Sequence, residues 1–231
     1  MGATLKWQPQ QIKAMIPLRD NIPHRRKPVI TISLILINIF MFFYELFLGK
    51  DLKNFIYLYG FIPYKLFLPI SWQDKVFPLF SSMFLHGGWG HLLGNMLFMW
   101  IFADNVEDRL GHFNFLVFYL TCGVLASLVH ALFNFGSKLP TIGASGAIAG
   151  ILGGYFRMFP YAKVLTLVPF FFFWEIIELP AFFFLGVWFL YQFLLGIFSS
   201  PLGGGVAFWA HIGGFVSGIF LLKFFLKRNY Y

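Results

Sequence analysis

Ser145 sits in the run Gly143-Ala144-Ser145-Gly146, directly ahead of an apolar stretch that reads as a helix over 145–158. A serine hydroxyl is a weak nucleophile until a positioned base takes its proton, and a neutral imidazole with a pKa near 6.5 suits that role. His211 lies in a second apolar stretch, where it shares one helical stripe with Gly214 and Gly218 at i, i+3 and i+7. His91 and Asn95 stand four apart on one face of a third. A serine, a base and additional polar donors are what acyl transfer requires. Each of these side chains alone reads equally well as a packing group satisfied by a neighbouring helix; the case for chemistry is joint.

The elements that must position them are membrane spans. Of 231 residues, 59% are hydrophobic and only 11% charged, against about 25% charged in an ordinary soluble domain. Six stretches approach the ~20 apolar residues that a bilayer needs: about 28–48, 89–103, 113–133, 145–158, 180–198 and 206–225. Ionisable and amide groups inside such spans are expensive and mark candidate functional sites. The expected architecture is an all-α polytopic membrane protein with six transmembrane helices around a short central fourth helix. Between the fourth and fifth spans, the apolar patch 164–174 is broken by Pro169 and reads as interfacial. The segment 49–88, rich in Phe, Tyr and Trp, is expected to be a membrane-embedded outer loop.

The net charge of +8 is banked at the borders of the spans: Lys6, Lys13, Arg19, Arg25, Arg26 and Lys27 precede the first, and Lys223, Lys227 and Arg228 close the last. That distribution reads as cytoplasmic flanks facing anionic lipid, with both termini cytoplasmic and the plasma membrane as the expected location. No basic face interleaves with stacking aromatics, so no nucleic-acid partner is expected. Residues 1–27 read as a basic cytoplasmic N-terminal segment without the apolar core of a cleaved leader, 28–226 as the catalytic domain, and 227–231 as a short cytoplasmic tail.

Two features bring Ser145 and His211 together on paper. Gly146, Gly150 and Gly154 give the fourth span a bare stripe, Gly214 and Gly218 give the sixth another, and facing small-residue stripes let helix backbones approach closely. The fourth span is also short: at 1.5 Å per residue it reaches only ~21 Å of a ~30 Å core. With its other end fixed near Arg157, Ser145 would lie at a submerged helix N-terminus, where free N–H groups favour developing negative charge. No carboxylate is expected at the outer ends of the spans to complete a triad, because Glu107, Glu175 and Glu178 all fall on the cytoplasmic side. A metal site from His86, His91 and His211 lacks the His-Glu-x-x-His pattern of zinc proteases, so no metal and no cofactor are expected. A transporter would show paired broken helices, and the region around Ser145 has no second copy.

Gly143-Ala144-Ser145-Gly146, the segment His86-Gly87-Gly88-Trp89-Gly90-His91-Leu92-Leu93-Gly94-Asn95, and Ala210-His211-Ile212-Gly213-Gly214 together resemble the rhomboid family of intramembrane serine proteases, as does Asn105-Val106-Glu107-Asp108-Arg109-Leu110-Gly111. The resemblance covers about residues 28–226. It implies a serine endopeptidase cleaving transmembrane segments, with Ser145 as nucleophile, His211 as general base, and His91 and Asn95 stabilising the oxyanion. It further implies a structural role for His86 near the site, a polar cytoplasmic cluster at Glu107 and Arg109, and Trp188 near a lateral substrate gate. Its partners would be transmembrane protein substrates and the bilayer. Some members carry a tyrosine four residues after the nucleophile, stacked on the histidine; here that position is Ala149. Inactive members of the family, which bind membrane clients, lose the serine or the histidine, and both are present here.

Overall fold

A computed structural model describes residues 15–23, 25–170, 173–199 and 205–226. Its elements in chain order are β1 (Ile16–Asp20), α1 (Val29–Phe47), α2 (Leu52–Tyr59), α3 (Trp72–Ser81), α4 (Trp89–Leu110), α5 (His112–Phe133), α6 (Ser145–Met158), β2 (Lys163–Phe170), β3 (Phe173–Pro180), α7 (Ala181–Phe198) and α8 (Phe208–Phe225). The protein is mostly helical. Among the described residues, α1, α5, α7 and α8 are long and apolar enough to cross a membrane. The other two expected spans differ: α4 runs on past Ala103 to Leu110 through Asp104, Glu107, Asp108 and Arg109, and α6 has 14 residues. The expected tail at 227–231 and residues 1–14 lie outside the described residues.

Helix α6 is the centre of the bundle. Every residue from Gly146 to Tyr155 is buried, and the helix packs against α4, α5 and α8. Its contact with α8 is backbone to backbone. A Cβ on Gly214 would collide with the Gly146 carbonyl oxygen, and one on Gly218 with the Gly150 carbonyl oxygen. The expected stripe is shifted at its far end: Gly153 meets the Phe215 carbonyl of α8, while Gly154 faces the Phe118 ring of α5. A helix hemmed in on three sides needs small residues on more than one face.

Two carboxylates at the far end of α4 secure the start of α1 and the residues just ahead of it. Pro28 offers α1 no side-chain cap, and Glu107 accepts instead from the N–H groups of Ile30 (2.9 Å) and Thr31 (2.8 Å) and from the Thr31 hydroxyl (2.7 Å). His112 Nδ1 lies 2.5 Å from the same carboxylate. The negative group meets the orphan donors at the positive end of the α1 dipole. Asp108 accepts from the Arg26 N–H at 3.0 Å.

The sheet corrects the all-α expectation. Strands β1, β2 and β3 form one antiparallel sheet in that order, with Ile16 opposite Leu167 and Lys163 opposite Pro180. The patch 164–174, expected to lie in the membrane interface, is therefore mostly strand. Its signal is period two: Val164 and Thr166 are fully buried while Lys163 is exposed. A search for long apolar runs passes over two short strands. Part of the expected N-terminal flank is β1, and Asp20 at its end accepts from the Tyr155 hydroxyl of α6 and from the Asn105 amide at 2.8 Å.

The segment between α1 and α4 is ordered. Tyr44, Phe55, Tyr59 and Phe77 form a chain of ring contacts at 4.5–6.0 Å. Phe61 exchanges two backbone hydrogen bonds with Thr141, at 2.7 and 3.1 Å, and the Gly143 N–H donates to the Ser82 carbonyl at 2.8 Å. These bonds satisfy the non-helical backbone ahead of α6, which a membrane interior tolerates only against protein or water.

Candidate active site

Ser145 is the first residue of α6, and His211 lies in the first turn of α8. The glycine-to-carbonyl contacts at Gly146–Gly214 place the two side chains opposite each other: Ser145 Oγ is 2.8 Å from His211 Nε2. His211 is buried and Ser145 half-buried. A hydroxyl at that distance from an imidazole lone pair can pass its proton as it attacks.

The third partner is one that the sequence reading missed. His211 Nδ1 is 2.8 Å from Oε1 of Gln192, a buried side chain on α7. Its signal was available, a lone amide in an otherwise apolar span, but nothing in the sequence pairs it with His211. Trp188, one turn earlier on α7, has its ring 6.0 Å from the His211 imidazole and 6.0 Å from Phe215. It is half-buried between them. Ala149 is buried on α6, near enough to Gly214 that a Cβ there would meet it at 3.2 Å. The ring beside the imidazole therefore comes from α7.

His86, His91 and Asn95 gather at Gly143, two residues ahead of the serine. Gly143 has φ +123°, and a Cβ there would stand 2.5 Å from His91 Nε2 and 3.6 Å from Asn95 Nδ2, so only glycine fits. His91 Nδ1 accepts from the Gly87 N–H at 3.4 Å, leaving the ring proton on Nε2, the edge that lies against Gly143. Asn95 Nδ2 is 3.0 Å from His86 Nε2, and the two histidine rings stand edge to face at 5.1 Å. The His86 N–H donates to both carboxylate oxygens of Glu45 at 3.2 Å. Glu45, buried at the end of α1, corrects the expectation that no carboxylate lies at the outer ends of the spans. It supports the His86 backbone, whereas the His211 ring is held by Gln192. Together these groups make a cluster of donors beside Gly143, at the turn that leads into Ser145 and the N-terminus of α6.

A family model described as the Rhomboid domain matches residues 73–228, about two thirds of the chain. The chain belongs to the rhomboid family. It is 30% identical over 150 residues to Rhomboid protein 1, mitochondrial, of Saccharomyces cerevisiae, covering 61% of this chain and 39% of that one. It is 35% identical over 158 residues to RHOMBOID-like protein 4 of Arabidopsis thaliana, covering 68% and 36%. It is 34% identical over 155 residues to Rhomboid-like protease 5 of Toxoplasma gondii, covering 63% and 16%. The matched segment thus spans well under half the length of these relatives. This rhomboid is a polytopic membrane protein; several of its relatives are mitochondrial by name, and they lend the expected plasma-membrane location no support.

Proposed function

We propose that this rhomboid-family protein is an intramembrane serine endopeptidase that cleaves transmembrane segments of other membrane proteins. The observation that carries the reading is the 2.8 Å contact between Ser145 Oγ and His211 Nε2 at the start of a buried helix. Nε2 takes the hydroxyl proton as Oγ bonds to the scissile carbonyl carbon, and the carbonyl oxygen becomes an oxyanion. The Ser145 N–H, His91 Nε2–H and the Asn95 amide are the donors for that charge. The imidazolium then passes its proton to the leaving amide nitrogen as the C–N bond breaks. Water, activated by the same imidazole, releases the acyl group and returns the proton to Ser145. Neither step needs a metal or cofactor.

In this reading six helices cross or enter the bilayer, with α6 as the short central one, and the domain spans 28–226. The sheet, Glu107 and Arg109 lie on the same side as both termini. Substrate enters laterally beside α7, near Trp188. Incubating the purified protein with single-span substrates in liposomes tests the proposal. Wild type should cleave and react with a fluorophosphonate probe at Ser145, and Ser145→Ala should do neither while remaining folded. Cleavage retained in Ser145→Ala refutes it. A wild type that binds such spans without cleaving or labelling is instead a client-binding member of the family.

A further inference from the structure

We infer that Gln192 is a positioning residue that completes a Ser-His-Gln relay; this rests on the protease reading above. A histidine base must present a lone pair to the serine hydroxyl, so its single proton must sit on the other ring nitrogen. Neutral imidazole in water divides that proton between its two nitrogens, and burial alone does not choose. Here the choice is made by the neighbours. Gln192 Oε1 lies 2.8 Å from Nδ1 and Ser145 Oγ 2.8 Å from Nε2. With the amide oxygen toward the ring, Nδ1–H donates to Gln192, and Nε2 is left to accept from Ser145.

Three observations make this more than a core contact. Gln192 and His211 are both buried, so the hydrogen bond meets little competition from water. The bond crosses from α7 to α8 and fixes the ring rotation, with the Trp188 ring on one flank. And Gln192 sits on a helix that is otherwise apolar, where an unpartnered amide is disfavoured. A buried carboxylate at this place would have to be kept ionised in an apolar surrounding. A neutral amide selects the same tautomer without that burden, and it still accepts a stronger hydrogen bond once Nδ1–H belongs to an imidazolium. The amide does the orienting part of the work that an aspartate does in a triad, and less of the charge stabilisation.

The test compares Gln192→Met, which keeps the shape and removes the acceptor, with Gln192→Glu, which restores one. Met should lower kcat about 10- to 10²-fold with KM little changed, and slow probe labelling of Ser145 in parallel. Glu should recover most of that loss and move the acidic limb of the pH–rate profile upward, since a carboxylate stabilises the imidazolium. Near-wild-type kcat in Gln192→Met overturns the inference. So does an equal loss in both variants when each melts like wild type, which assigns Gln192 to packing. Should both variants unfold, the wild-type protein decides: 15N-histidine spectra, with the His211 signal identified by its loss in His211→Ala, should show Nδ1 protonated and Nε2 bare. The opposite tautomer overturns the inference. Because that spectrum needs no activity, it separates failure of the relay from failure of the protease reading.

Discussion

Gly214→Ala is the smallest change that tests whether the glycine contacts set the catalytic geometry. The new Cβ would overlap the Gly146 carbonyl oxygen, which is backbone and cannot rotate away. Helices α6 and α8 must then separate locally, by roughly 1.4 Å to carry that contact from 2.0 Å to an ordinary van der Waals distance. Gly214 lies one turn from His211 on the same stripe, and Gly146 follows Ser145, so nearly all of the shift reaches the reacting pair. The Oγ–Nε2 separation of 2.8 Å would open to about 4.2 Å, outside hydrogen-bond reach. A misplacement of that size lowers turnover by at least about 10²-fold, while overpacking destabilises by roughly 1–3 kcal/mol. The assay is the rate of Ser145 labelling by a fluorophosphonate, read beside the melting temperature in detergent. Gly218→Ala makes the same kind of clash with the Gly150 carbonyl one turn further from the site. It should lose comparable stability and less rate. Phe220, 62% exposed on the outer face of α8, should accept Val with neither loss. If Gly214→Ala labels and cleaves like wild type, the glycine contacts do not set the distance between Ser145 and His211.

The donor cluster, the remote cap and the half-buried Asp20 each give a further expectation. His91→Ala and Asn95→Ala should each lower kcat by about 10²–10³-fold with KM nearly unchanged, because their charge partner exists only in the transition state; a pure KM effect in cleavage assays would place them in substrate binding. Glu107→Ala leaves the α1 donors without an acceptor and should destabilise by roughly 2–4 kcal/mol, read as a lowered denaturation midpoint, with Ser145 still reactive in the folded fraction. Burial raises the Asp20 carboxyl above its ordinary value of 3.8, so the folded chain holds a proton that the unfolded chain releases. Stability should therefore fall as pH rises through the interval above 3.8, and Asp20→Asn, which can still accept from Tyr155 and Asn105, should flatten that slope in melting curves.

The composition and the apolar runs were enough to establish a polytopic membrane protein, because removing ~20 consecutive side chains from water is a local requirement that no tertiary contact can relax. The Gly143–Gly146 run, the histidines and the glycine stripes were likewise readable, since small residues at helical spacing have few other uses in a span. Their register was not. That Gly153, not Gly154, meets the α8 backbone depends on how α6 is rotated between three neighbours. The sheet escaped because strands β2 and β3 are short: the period-two signal of β2 sits inside a patch apolar enough to pass for membrane-facing, and β3 is exposed along nearly its whole length. Glu45 and Gln192 escaped for a different reason. A single polar residue in an apolar helix has a partner that pattern cannot name, because the partner belongs to another helix. Glu45 reaches the His86 backbone from α1, and Gln192 reaches His211 from α7. Sequence determined which side chains could do the chemistry. Only the packing of α6, α7 and α8 decided which atoms face one another, since a hydrogen bond is settled within a few tenths of an ångström and helical spacing only within a face.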